Sequence, residues 1–284
     1  MKQIIVTADD FGLCEEVNDA VEIAHCAGIL SAASLMVSAP AAKDAIGRAL
    51  RLRSLRVGLH VVLVDGRPVL PPDEIPELVD ANGAFPSDLV RAGVRWFLSA
   101  AARRQLEREI RAQFDAFLST GLAFDHVNAH NHMHVHPTVL GIVLRLASMF
   151  GVPFIRLPFE PLALGRIGAP RLTMSERLAA LSLAPWLRFT RRRIEHAGLR
   201  HNDTLLGLRR SGHLNEASLL DLLSRLPEGI TELYFHPAVR RTPWLAAMMP
   251  GYDNEGEFAA LTSSSVSDRL RALGLKAIGF ADVK

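Results

Sequence analysis

The feature that most constrains this chain is an apolar run, Ile4-Ile5-Val6, that breaks off into Asp9-Asp10-Phe11-Gly12. Such a run reads as a strand buried in a sheet, and it delivers two adjacent carboxylates to that strand's C-terminal end. In α/β proteins crossover helices cover the sheet faces, so ligands bind among the loops that follow the strands. A single Asp at this point reads equally well as the N-cap of the next helix. Two further features favour a site. His60 closes the apolar run Val57-Gly58-Leu59, and a dense histidine tract follows at His126, His130, His132, His134 and His136.

Downstream, strand and helix patterns alternate. Helical spacing runs from Glu15 to Ala27 and stops at Gly28; Ala32 to Ser38 reads as a strand, Ala41 to Leu52 as a helix and Arg56 to Val64 as a third strand. Pro68, Pro71, Pro72 and Pro76 then impose a long loop. Arg103 to Ser119 is amphipathic, with Leu106, Ile110, Phe114 and Phe117 on one face. Further strands are expected at Phe124 to Asn128, Pro153 to Leu157, Thr204 to Leu208, Thr231 to Phe235 and Lys276 to Phe280. Helices are expected at Val139 to Phe150, Glu216 to Arg225 and Glu257 to Leu273. This alternation over 284 residues predicts an α/β fold: one distorted or incomplete (β/α) TIM-like barrel domain over 1–284, with a helical, Arg-rich insertion over 158–203.

Composition excludes several classes. A formal net charge of +2 gives no reason to expect nucleic acid as a partner, and no apolar run is long enough to span a bilayer. With only Cys14 and Cys26, neither a disulfide scaffold nor a cysteine zinc site is supported, which fits a reducing cytoplasm. Met1-Lys2-Gln3 leads directly into the first strand without a signal-peptide pattern, so a cytoplasmic protein is expected.

Asp9 and Asp10 follow the first strand, His60 ends the third, His130 follows the strand ending near Asn128, and His236 follows Leu233-Tyr234-Phe235. Each position is an expected C-terminal strand end. One carboxylate and two neutral imidazoles suit a divalent ion while leaving positions for water and substrate. Of the alternating histidines from His130 to His136, one is expected on the metal and the others around the substrate or at helix caps. Asp9 and Asp10 are too close in sequence to flank a glycosidic bond, which argues against a glycosidase.

The Ala8-Asp9-Asp10-Phe11-Gly12 opening, Gly58-Leu59-His60, the segment from His126 to Pro137 and Phe235-His236-Pro237 together resemble the YdjC-like carbohydrate deacetylases. The Thr7 to Leu13 start, the Ala32 to Val37 strand and the Asn128 to Pro137 block resemble that family's hopanoid-biosynthesis-associated branch. The resemblance implies a metal-dependent hydrolase that removes the acetyl group from an N-acetylglucosaminyl hopanoid lipid. It places one divalent ion, Zn favoured and Mg the alternative, on Asp10, His60 and His130, with Asp9 as general base and His236 as the acid for the departing amine. His132, His134 and Arg156 are the expected substrate contacts. Many chitooligosaccharide-active relatives carry Asp-Ser-His where this chain has Asn128-Ala129-His130, which turns the expectation from chitin fragments toward a lipid-linked sugar. Deacetylation of soluble chito-oligosaccharides, or another mononuclear-metal barrel hydrolase, are the alternatives.

Between Gly165 and Arg200 lie eight arginines against Glu176 and Glu195, interleaved with Leu178, Leu181, Leu183, Trp186, Leu187 and Phe189. That mix suits an element resting on an anionic membrane surface, peripherally at the inner membrane, or a surface hairpin packed on the barrel. Trp244, Leu245, Met248 and Met249 could add an apolar lip to the same entrance.

Overall fold

The computed structural model describes residues 1–162, 164 and 173–283, with residues 175–182 described by their backbone alone. In chain order the elements are β1 (Lys2–Phe11), α1 (Glu15–Ala27), β2 (Ala32–Leu35), α2 (Ala42–Arg51), β3 (Arg56–Val61), α3 (Leu89–Leu98), α4 (Ala100–Leu118), β4 (Val127–Ala129), α5 (Pro137–Met149), α6 (Met174–His196), β5 (Thr204–Leu206), α7 (Glu216–Leu223), β6 (Gly229–Phe235), α8 (Pro243–Met248), α9 (Asn254–Thr262) and α10 (Ser264–Ala272). The six strands form one parallel sheet, ordered β4-β3-β2-β1-β6-β5 and curled as a half-barrel. β1 lies at its centre and is buried without interruption from Ile4 to Phe11, as its apolar run requires.

The segments expected as strands at Pro153–Leu157 and Lys276–Phe280 make only isolated parallel bridges: Val127↔Ile155, Phe154↔Arg200 and Ile4↔Ala277. The first two span the gap between β4 and β5. Two residues further on, the Asn202 side chain does the work of a peptide group. Its Oδ1 accepts from the Leu157 N–H and its Nδ2 donates to the Leu157 carbonyl, each at 2.8 Å.

Two helical regions differ from expectation. The single helix expected over Glu257 to Leu273 is two, because Ser263 is extended between them and its hydroxyl caps α10 by accepting from the Val266 N–H. α3 was not anticipated: its apolar residues cover its exposed side as well as its buried one, leaving only the strip of Arg91 and Arg95 charged, so no narrow core-facing stripe marks it. Asp88 caps its start, and Ser99 both ends α3 and caps α4. Of the expected insertion, α6 is described, with Leu187, Thr190 and Ile194 buried; residues 163 and 165–172, including Arg166 and Arg171, lie outside the described residues. Among the described residues no helix is long and apolar enough to cross a membrane.

Strand alternation gives one face of this sheet an unusual lining. Asp9, Ser34, His60, Asn128, Arg156 and Glu232 are all buried and linked by hydrogen bonds across the inside of the curl, several of them between strands that are not neighbours in the sheet. Buried groups of this kind must find partners among themselves. The candidate site grows out of that network.

Candidate active site

In a regular strand Asp9 and Asp10 would face opposite sides of the sheet. Here β1 carries one extra residue against β2, with Ala8 opposite Ala33 but Phe11 opposite Leu35, and Asp10 sits at φ +60°. This β-bulge turns both carboxylates toward one cleft of about 390 Å³, which His60, His130, His132 and His236 also line. Gly12 follows at φ +100°, and a Cβ there would lie 3.1 Å from the Ala42 backbone, so the tight exit from β1 favours glycine.

His60 and Asn128 are register partners on β3 and β4, and His60 Nδ1 lies 2.7 Å from Asn128 Oδ1. The orientation of the Asn128 amide is fixed by its other end, where Nδ2 donates to Asp9 Oδ1 at 3.2 Å and to Ser34 Oγ at 2.9 Å. Oδ1 therefore accepts, the His60 proton sits on Nδ1, and the bare Nε2 faces Asp10 Oδ1 at 3.2 Å without hydrogen-bond geometry. A lone pair held against a carboxylate oxygen is repulsive unless a cation lies between them. His130 Nδ1 approaches the same oxygen at 3.0 Å. The ligand atoms of Asp10, His60 and His130 all lie within 4.8 Å of one another, and buried Asp10 Oδ2 has no hydrogen-bond partner. The donor set and its orphaned atoms fit a divalent ion, with the Asn128 amide serving as the outer partner that metal-bound imidazoles require.

Asp9 is held differently. Arg156, wholly buried, grips it with Nη1 on Oδ2 at 2.5 Å and Nη2 on Oδ1 at 2.9 Å, and reaches Glu232 Oε1 through Nε at 2.9 Å and Nη2 at 2.5 Å. Its guanidinium stands 5.1 Å from the Tyr234 ring centroid. Burial alone would raise the Asp9 carboxyl, but the Arg156 charge and hydrogen bonds overcome it and hold it well below the usual carboxylate range. Burial likewise opposes ionisation of Asp10, yet the charge and hydrogen bond of His130 bring its carboxyl well below normal. The complementary effect raises His130: burial works against its charge, and Asp10 outweighs burial. Burial lowers His236.

The histidine tract does not continue as an extended segment. Asn131 and His132 both have positive φ, and the chain turns through a short 3₁₀ segment before α5. The four side chains consequently diverge. His130 meets Asp10, and His132 lines the cleft 5.5 Å from the Tyr234 ring. His134 is buried beneath, with Nε2 on the Arg156 carbonyl, and burial lowers it to about 3. His136 packs against Trp96 of α3. Neither His134 nor Arg156 is among the cleft-lining residues. His126 also lies below the cleft, with Nε2 2.9 Å from Ser34 Oγ and Nδ1 3.0 Å from Asp125 Oδ2.

His236 lies across the cleft from the histidine tract, beside the Tyr252 ring. Two buried residues from the α9 region hold its turn: Asn254 Nδ2 donates to the His236 carbonyl at 2.7 Å, and Glu257 Oε2 accepts its N–H at 2.6 Å. Sequence reading overlooked Glu232, Glu257 and Ser34. Glu232 carried a usable signal, since a carboxylate inside the run Thr231-Glu232-Leu233 of a buried strand needs a buried cation.

A family model described as YdjC-like protein matches residues 3–272. A carbohydrate deacetylase of Brevibacillus brevis is 40% identical over 157 residues, covering 55% of this chain and 60% of that protein, so the matched part is less than two thirds of that relative's length. A mouse carbohydrate deacetylase is 33% identical over 259 residues, covering 85% of this chain and 79% of its own. Among solved structures, an Enterococcus faecalis V583 protein named for cellobiose-phosphate cleavage shares the fold, with TM-score 0.76 and 22% identity over 98% of this chain and 97% of that one.

Proposed function

The chain belongs to the YdjC-like family, and from that premise we propose that it is a metal-dependent carbohydrate N-deacetylase acting on an N-acetylglucosaminyl lipid of the hopanoid type. The observation that carries the reading is the convergence of Asp10, His60 and His130 in a cleft that also holds Asp9 and His236. Asp10, His60 and His130 would hold one divalent ion, and two imidazoles in the set favour Zn²⁺ over Mg²⁺. Bound there, the ion supplies Lewis acidity toward the acetamide carbonyl and acidifies water.

In this proposal Asp9 accepts a proton from the attacking water, and Arg156 fixes its orientation. The strong depression of the Asp9 carboxyl makes it a weak base by itself, so the arrangement depends on water that is already acidified. His236, kept neutral by burial, takes up a proton during the cycle and delivers it to the sugar nitrogen as the C–N bond breaks. Water and the acetamide yield acetate and a free amine. His132 faces the substrate, while His134 braces the Arg156 backbone.

The departure at Asn128 and the apolar edge formed by Leu89, Met248 and Met249 support a lipid-linked acceptor over a soluble chito-oligosaccharide. The distorted, incomplete TIM-like barrel and peripheral attachment through the 165–200 segment belong to the same proposal. Mass spectrometry of acetate release from an N-acetylglucosaminyl lipid, set against chitobiose, tests it. Faster turnover of the lipid is expected; faster turnover of chitobiose would move the assignment to soluble sugars, and turnover of neither would end it.

A further inference from the structure

A helix packed on a protein core ordinarily turns an apolar stripe inward and a polar one outward. α3 departs from this. Ala92, Gly93 and Trp96 are buried, Trp96 against His136, yet Val90, Val94, Phe97 and Leu98 remain 76%, 52%, 57% and 72% exposed. Single exposed apolar residues need no explanation, but four on one ten-residue helix form a contiguous patch. The patch joins the catalytic cleft, because Leu89 lines both the cleft and the shallow groove along α3. Across the cleft, Met248 of α8 is also part of the lining and partly exposed, with Trp244 exposed nearby.

The charges around the patch identify what would cover it. Between Asp88 and Glu107 the only charged residues are Arg91, Arg95, Arg103 and Arg104. Arg95 pairs with Glu77 and Arg103 donates to the Phe97 carbonyl, whereas Arg91 and Arg104 make no ion pair among the described residues. A second copy of the same face would bring arginines against arginines. With Asp88 engaged as the helix cap and Glu77 paired to Arg95, the charges left without an ion pair beside this apolar stripe include the cations Arg91 and Arg104, which suit the boundary between anionic headgroups and acyl chains.

We propose that α3 docks on an anionic lipid bilayer and holds the mouth of the cleft against it, so that a lipid-anchored sugar enters from the membrane. This deepens the lipid-substrate reading and rests on it for its purpose. Binding is measured without turnover, so the two ideas fail separately. Flotation with phosphatidylcholine vesicles, with and without phosphatidylglycerol, compares the parent with the double variant Val94→Gln, Phe97→Gln and with Leu118→Gln, the single large apolar residue of α4 that is exposed.

The parent and Leu118→Gln should bind vesicles containing phosphatidylglycerol. The double variant should bind roughly 10-fold more weakly or worse, with unchanged turnover of a soluble N-acetylated sugar. Should the double variant misfold, Arg91→Glu with Arg104→Glu tests the same face and should weaken binding by about 30-fold or more, at roughly 5-fold for each surface cation removed. No binding by the parent, or equal binding by a folded α3 variant, overturns the proposal. So does a parent dimer in sedimentation that the double variant splits into monomers, since the face would then be a self-association surface.

Discussion

A carboxamide has one end that only accepts and one that only donates, and Asn128 uses both. Its oxygen selects the His60 tautomer and its nitrogen reaches Asp9 and Ser34, so one residue orients a candidate metal ligand and the candidate base together. Asn128→Ala should leave a folded protein whose metal affinity, measured by equilibrium dialysis, falls about 10–100-fold. Alanine at Asp10, His60 or His130 should cost at least as much, whereas His132→Ala should keep the ion; full occupancy in all three ligand variants would refute the ligand assignment. Asp9→Asn should retain metal while turnover falls roughly 100-fold or more. It also removes one of two carboxylates from a fully buried guanidinium, at a cost in stability of about 3 kcal/mol, readable in urea melts. His236→Ala should likewise lose turnover and keep the ion. Near-normal activity in either variant would contradict the role given to that residue.

At the scale of elements, Gly58 shows how closely the strands approach. A Cβ there would stand 2.5 Å from the ring and the carbonyl of His126. Gly58→Ala must displace β3 or expel that ring, so a loss of about 2–4 kcal/mol is expected in thermal unfolding, with weaker metal binding because His60 lies two residues on. In α6, Arg191 donates to the Asp203 carbonyl and Arg193 stands over the Phe189 ring, so these cations take part in packing. Reversing Arg191, Arg192 and Arg193 to Glu should still weaken binding to anionic vesicles by up to about 3 kcal/mol and slow turnover of a lipid substrate in vesicles, with soluble turnover little changed. Identical behaviour of variant and parent in both assays would leave α6 as a packed surface helix. The sequence revealed elements in proportion to how local their cause is. α1 was readable to its ends because Glu15, its apolar spacing and Gly28 are all local. The bulge in β1 was not, since an extra residue exists only relative to β2; nor was the left-handed turn at Asn131 and His132 that scatters the histidines. Asp10, His60 and His130 could be read because they stand at strand ends, whereas Glu232 lies hidden inside a strand pattern.

For the whole molecule, buried ionisable groups set opposing pH dependences. The depressed carboxyls of Asp9 and Asp10 contribute stability that is present above the ordinary Asp value of 3.8 and is lost as pH falls through their folded values. Glu257 acts in the other sense: burial raises it from 4.5 to about 7, so its contribution is complete below 4.5 and is lost as pH rises through 7. Because Glu257 ties α9 to both the His236 turn and the Leu214 N–H, this loss should be global. In urea unfolding from pH 5 to 8, the parent should lose on the order of 1–3 kcal/mol relative to Glu257→Gln, whatever constant offset the substitution adds. Parallel profiles for the two proteins would show that Glu257 does not titrate in this range.

The amide clasp between Asn202 and Leu157 has a consequence for how this architecture tolerates change. The chain leaves the edge of the curled sheet after 157 and returns beside the same point at 202, so the exit and the return are neighbours whatever lies between. An excursion with adjoining ends can be lengthened, shortened or exchanged with little effect on where Asp9, His60 and Asn128 meet, provided the apolar contacts of Leu187 and Ile194 are replaced. The position of the candidate centre is thereby decoupled from the length of this excursion.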